Sequence, residues 1–202
     1  MIDMPLRYAD VLRPLREAYD ARAAQRDALT KEPWKLAERQ AFRDRLAPGA
    51  RLLEIGAGTG QDGVYFQQES FTVVATDLSP VMVEHCRAKG IEAHVMDFLH
   101  LDFPAGSFDA VFAMNCLLHV PNHDLPAVLA AIRAVLRPGG LFFVGVYGGN
   151  ESAEGPRATT STGRRASSPG EPTSNCSASP PHGSTSWTST PSASAAATGF
   201  SH

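Results

Sequence analysis

Apolar positions along the chain change their spacing twice. Over residues 6 to about 46 they recur at helical intervals, with Leu6, Ala9, Leu12, Leu15 and Tyr19 on one face. Pro14 predicts a kink or a division of this first helix, because proline removes a backbone donor and crowds the preceding turn. A second helix is predicted from Pro33, whose missing N–H suits a first-turn position, through Trp34, Ala37, Ala41 and Phe42. The run Ala47 to Ala50, "APGA", ends it.

From Arg51 the spacing becomes that of short buried strands alternating with helices. "RLLEI", "FTVVATD", "IEAHVMD", "FDAVFAMN" and "LFFVGVY" predict five strands. Between the second and third lies "SPVMVEHCRAK", a helix with Ser79 as N-cap, Pro80 as its first residue and Gly90 at its end. Between the fourth and fifth lies "PNHDLPAVLAAIRAVLRPGG", a helix closed by Pro-Gly-Gly. Strands alternating with helices predict an α/β fold, an open, doubly wound, Rossmann-like sheet of parallel strands with right-handed crossovers.

Past residue 150 the pattern stops. From Glu151 to His202 there is no Leu, Ile, Val or Met, and Ser, Thr, Ala, Pro and Gly dominate. Such a segment buries too little apolar surface to offset its ordering entropy, so a low-complexity, disordered tail is expected. Its composition is that of a GC-rich gene read out of frame. With third bases free, "SPGEPTSNCSAS" (Ser168–Ser179) recodes in the shifted frame as a helix, and the stretch from His182 as a strand. The slip would fall near "NESAEGPR". Without strands from this tail, the fifth strand is expected to expose an apolar edge, with weak stability and reduced turnover.

Composition changes this picture little. The 202 residues, 43% apolar with a net charge of −3, suit one soluble core. Basic residues gather in the first fifty positions but are mixed with acids, so solvated helix faces are expected there rather than a nucleic-acid or membrane footprint. Cys86, Cys116 and Cys176 lack CxxC spacing, so neither a zinc site nor a disulfide framework is indicated. No apolar run reaches membrane-span length and the start lacks a signal-peptide pattern, which makes the cytoplasm the expected compartment.

The chemistry concentrates at "LLEIGAGTGQDG". A buried strand runs into Gly56, Gly58 and Gly60, and a helix then opens, so a ligand can approach the main chain closely. The spacing is GxGxG, with Gln61 where a dinucleotide fingerprint needs glycine. Glu54, just before the turn, would repel a pyrophosphate but can accept from an ammonium group. S-adenosylmethionine carries an ammonium and no phosphate. Asp77, ending the second strand, can accept both hydroxyls of a ribose. Asp97, ending the third, can accept from an adenine amino group, with Leu78 and Phe98 as apolar faces for the ring. A bland reading stands beside this one, with the glycines as a structural turn and Asp77 and Asp97 as caps.

The set "LEIGAGTG", "TDLSPVMVEHCRAKG", "FDAVFAMNCLLHVP" and "LRPGGLFFVGVYGG" resembles the class I S-adenosylmethionine-dependent methyltransferases of small-molecule type, over about residues 46–149. The resemblance implies S-adenosyl-L-methionine as cofactor and a small-molecule acceptor. It implies that Glu54, Gly56, Ala57, Gly58 and Gly60 line the methionine end and that Asp77 holds the ribose. It further implies that Leu78, Asp97 and Phe98 frame the adenine and that Asn115 lies near the methionine moiety. The organisation expected is a helical lid over 1–46, a cofactor-binding core over 47–150 and the tail over 151–202. In that family the fifth strand is followed by a helix and two edge strands, which the tail is not expected to supply.

Methyl transfer from a sulfonium is an in-line displacement that needs alignment and exclusion of water, so the motifs identify the donor and leave the acceptor, attacked atom and base open. His119 and His123 follow the fourth strand on the ligand side, yet a structural role is expected ahead of a catalytic one. His85 and Cys86 are expected to pack or face solvent. A non-catalytic S-adenosylmethionine-binding protein is the alternative of a different class. A nicotinamide oxidoreductase is disfavoured by Glu54 and Gln61, and nucleic-acid methylation by the absence of a motif such as NPPY.

Overall fold

The structure is a computed structural model, and it describes residues 6–147 and the strand 184–189. Three helices come first: α1 (Tyr8–Asp20), α2 (Ala23–Asp27) and α3 (Pro33–Arg43). The core then follows as β1 (Arg51–Ile55), α4 (Gln61–Gln68), β2 (Thr72–Asp77), α5 (Pro80–Ala88), β3 (Glu92–Val95) and β4 (Phe108–Met114). A 3-10 turn (Leu117–His119), α6 (Leu125–Val135) and β5 (Leu136–Val146) complete it. β6 (Ser184–Ser189) is the last described element.

The sheet order is β3-β2-β1-β4-β5-β6, with the first five strands parallel as expected. Strand pleating splits the core between two faces. Leu53, Ile55, Val111, Ala113 and Phe142 face one side, under α6 through Val128, Ile132 and Val135 and under α1 through Tyr8. Leu52, Ala110, Phe112 and Phe143 face the other, under Phe42 of α3, Phe66 of α4 and Val83 of α5. Phe42, fully buried, stands 5.4 Å from Phe112 and 5.6 Å from Phe143, two rings that stack at 4.7 Å. The N-terminal helices are thus seated in both cores. Strand order reverses between β1 and β4, which opens a crevice at the carboxyl ends of those strands.

Four local departures from the sequence reading have physical reasons. Pro14 does not divide α1, which runs unbroken from Tyr8 to Asp20; one lost backbone bond is offset by the buried Tyr8 and the partly buried Val11 and Leu12. β3 ends at Val95, so Asp97 lies two residues beyond the strand. Pro138, Gly139 and Gly140 belong to β5, whose ladder with β4 shifts register between Phe108 and Ala110. The edge of β5 is not bare. β6 pairs with it antiparallel from Leu141↔Ser189 to Val146↔Ser184, using backbone groups that need no aliphatic side chain. The remaining expectations for the tail, disorder and the shifted reading frame, lie outside the described residues.

Candidate active site

Two turns meet at the crevice, and each is closed by hydrogen bonds from a neighbouring strand end. β1 leads into Gly56 and Gly58 at φ 62° and 57°, a backbone region that favours glycine. A Cβ on Gly56 would sit 2.4 Å from Cys116 Cβ, so any side chain there collides with the loop after β4. Gly58 has open space around it, and its N–H donates to Asp77 Oδ2 at 2.8 Å. Asp77 Oδ1 accepts from the Ser79 N–H at 2.9 Å. The Ser79 hydroxyl accepts from the Met82 N–H, as predicted for the cap of α5, and donates to the Asp20 carboxylate of α1. Burial raises the Asp77 pKa, opposed by the Ser79 and Gly58 N–H groups.

Glu54 is buried with its Oε2 2.8 Å from where a Gly63 Cβ would stand, against the first turn of α4. Burial, then the nearby Asp62 carboxylate, holds its pKa well above the usual carboxylate range. Asp62 is itself buried and accepts from Lys31 Nζ at 2.7 Å and Arg39 Nη1 at 3.0 Å. On the other side of the crevice Asn115 adopts φ 53°, its N–H donating to the Gly145 carbonyl at 2.7 Å. Asn115 Oδ1 and Glu54 Oε2 are buried acceptors with no donor among the described residues. Orphaned acceptors suit a ligand that brings N–H groups, such as an ammonium, and not one that brings phosphate oxygens.

Leu78 and Asp97 come together, lining a cavity of about 360 Å³ with Arg16, Val95, Met96, His100 and Asp102. Within it Asp97 also caps its own loop, accepting from the Leu99 and His100 N–H groups at 2.8 and 3.1 Å. Phe98 is not part of that lining. Its ring stacks on Tyr8 at 5.9 Å and points its edge under Gly56. Ala57 and Gly60 stay in the turn, where the Ala57 carbonyl accepts the Gly60 N–H and its own N–H reaches the Thr76 carbonyl.

The sequence reading missed the closure made by the N-terminal helices. Gln61 Nε2 donates to the carbonyls of Asp27 and Leu29 at 3.0 and 3.1 Å. Lys89 Nζ bonds the Asp27 carboxylate and, at 2.7 Å, the Thr59 carbonyl of the glycine turn. His85 joins this cluster, 3.7 Å from Asp27. Cys86 is fully buried, its Sγ donating to the Gly58 carbonyl and its pKa pushed up to about 12 by burial. His123 lies 3.3 Å from Asp124, whose carboxylate accepts the Tyr8 N–H, so it serves the anchoring of α1. His119 is different, because its Nε2 lies 2.7 Å from the Tyr19 hydroxyl across the crevice. These partners are polar and far apart in sequence, which no local periodicity reveals.

No three His, Cys, Asp or Glu side chains cluster in a way that could hold a metal among the described residues. No described helix is long and apolar enough to cross a membrane.

The methyltransferase domain family matches residues 52–140. A ubiquinone biosynthesis O-methyltransferase of Xanthomonas campestris pv. campestris is 36% identical over 105 residues, 48% of this chain and 43% of that one. The chain thus spans less than half the length of that relative. The solved structure of Burkholderia thailandensis 1,6-didemethyltoxoflavin-N1-methyltransferase, with its acceptor and S-adenosylhomocysteine bound, superposes at a TM-score of 0.63 with 27% identity. That match covers 74% of this chain and 68% of the other. With the strand order, the glycine turn and these matches in agreement, residues 52–140 are a class I S-adenosylmethionine-dependent methyltransferase domain, of a family whose cofactor is S-adenosyl-L-methionine.

Proposed function

We propose that this chain transfers a methyl group from S-adenosyl-L-methionine to a small-molecule acceptor. The observation that carries the reading is the pair of orphaned acceptors, Asn115 Oδ1 and Glu54 Oε2, at the switch point between β1 and β4. In this reading Glu54, Gly56, Ala57, Gly58, Gly60 and Asn115 surround the methionine end. Asp77 takes the ribose hydroxyls on lone pairs left over from its two backbone bonds. Leu78 and Asp97 take the adenine from the cavity they line, with Phe98 supporting the turn from below.

Bound there, the cofactor supplies a methyl already activated on a sulfonium, so the protein's own work is alignment and exclusion of water. The helices of residues 1–46 serve as the lid, held by Gln61, Lys89 and Asp62. Residues 47–150 form the binding core, and residues 151–202 are assigned no part in the reaction. A small-molecule acceptor is supported by the names of the relatives, one an O-methyltransferase and one an N1-methyltransferase of didemethyltoxoflavin. A net charge of −3 favours no nucleic-acid partner.

The test is transfer of label from methyl-labelled S-adenosylmethionine into a small-molecule extract and a panel of phenols and heterocyclic amines. Label in low-mass products supports the reading, and the rate measures whether turnover is reduced. Binding without transfer to any acceptor would instead favour a non-catalytic S-adenosylmethionine-binding protein.

A further inference from the structure

We propose that Trp34, Tyr147 and Glu32 form a cage for a positively charged amine, through which the small-molecule acceptor is anchored. This rests on the methyl-transfer reading above and gives its acceptor a charge. Trp34 and Tyr147 meet edge-on, their ring centroids 5.4 Å apart at 71°. Glu32 Oε2 accepts from Trp34 Nε1 at 2.8 Å and from the Tyr147 hydroxyl at 2.7 Å, which fixes both rings against one carboxylate. Those two donors, with Lys35 third, hold the Glu32 carboxyl below the usual carboxylate range, so it is charged at neutral pH. Two aromatic walls and an anion are the elements that recognise an ammonium, because the ring faces are negative.

A cation already stands in this cage. Lys35 Nζ lies 5.4 Å from the Trp34 centroid, 5.1 Å from that of Tyr147 and 3.2 Å from Glu32 Oε2. The chain's own ammonium therefore marks where a guest cation would sit. It is a weakly held occupant, since its ion pair spans one helical turn beside a half-exposed carboxylate. Releasing the long lysine side chain also returns rotamer entropy. An alkylated ammonium is less strongly hydrated than a primary one and covers more of both rings, which makes it the better guest.

The place of the cage suits an acceptor. Lys31, next to Glu32, bonds Asp62 in the first turn of α4. Gly145, two residues before Tyr147, accepts the Asn115 N–H. Tyr147 follows the carboxyl end of β5, and the strand order puts β5 beyond β4, across the glycine turn from the cavity of Asp97. A cofactor laid along the ends of β3, β2, β1 and β4 leaves the β5 end for the acceptor. The Glu32 side chain and Tyr147 are 52% and 50% exposed, so a solute reaches both. A protonated or quaternary nitrogen has no lone pair, so the cation is the handle and another atom of the acceptor takes the methyl group.

Full-length wild type, Glu32→Gln, Trp34→Leu and Lys35→Met are titrated calorimetrically with choline and with its uncharged carbon isostere, 3,3-dimethylbutan-1-ol. S-adenosylhomocysteine is titrated in parallel. The cage predicts that wild type prefers choline by at least about tenfold. Trp34→Leu and Glu32→Gln should bring that preference down to about threefold or less. Lys35→Met should tighten choline by about three- to tenfold, because the resident cation no longer competes. Affinity for S-adenosylhomocysteine should be unchanged in all three variants, which also shows that they are folded. In the label-transfer assay, the methylated product should be retained on a cation exchanger at neutral pH.

No preference for choline in wild type, a preference that survives both Trp34→Leu and Glu32→Gln, or choline binding weakened by Lys35→Met overturns the cage. A neutral or anionic labelled product overturns its part in holding the acceptor. Failure of wild type to bind S-adenosylhomocysteine is a separate outcome, since it removes the methyl-transfer reading and the acceptor role of the cage with it.

Discussion

The Gly58 N–H donates to Asp77 Oδ2 at 2.8 Å, so the carboxylate that ends β2 closes the glycine turn that follows β1. One side chain thereby couples the shape of the turn to the place proposed for the ribose. Asp77→Asn puts an amide against two backbone donors and keeps one good acceptor. It should weaken S-adenosylhomocysteine binding by about 1.5–3 kcal/mol, roughly 10- to 150-fold in Kd by calorimetry. An Asn variant that binds as tightly as wild type would remove Asp77 from the ribose site.

Phe42 joins α3 to the sheet. Its ring is fully buried against Phe112, Phe143 and Phe66. Phe42→Ala leaves a cavity between α3 and the sheet and should cost about 3–5 kcal/mol in urea unfolding. A cost below about 1 kcal/mol would mean that α3 does not pack there in solution.

The carboxyl of Glu54 should make stability fall with rising pH. Its folded pKa is raised by burial and by Asp62, so the native state holds a proton that the unfolded state releases. Stability from this group is complete below the unfolded value of about 4.3 and declines as pH rises towards the folded pKa. Glu54→Gln should flatten that decline in urea unfolding curves measured across pH. An unchanged slope would place the origin of the pH dependence elsewhere.

Lys89 links α2 to the glycine turn through Asp27 and the Thr59 carbonyl. Half-exposed ion pairs contribute little to global stability, so Lys89→Met should cost no more than about 1 kcal/mol. The same change should speed proteolytic cutting around residues 28–32, because local opening is governed by these few contacts. Equal cutting rates in the two proteins would show that α2 is not held at this point.

Sequence pattern carried the five parallel strands, the Ser79 cap and the glycine turn, because each rests on local spacing or on one residue's backbone demands. It also placed Leu78 and Asp97 at one cavity, since successive strand ends of a parallel sheet share an edge. It did not find the Lys31 and Arg39 contacts to Asp62 or the Tyr19–His119 bond. Those join polar groups across long loops, and only the seating of α1 and α3 on the core brings them together. Continuity of α1 through Pro14 is a tertiary outcome as well, in which packing overrides propensity. β6 carries no aliphatic residue to mark it, yet "STSWTS" combines threonine and tryptophan, both strand formers, and pairs by its backbone.

Calorimetric titration of the full chain with S-adenosylhomocysteine, with NAD titrated in parallel, decides which cofactor the crevice takes. Saturable single-site binding of S-adenosylhomocysteine and no heat from NAD are expected of a methyltransferase site. Binding of NAD in preference to S-adenosylhomocysteine, or of neither, would contradict that assignment.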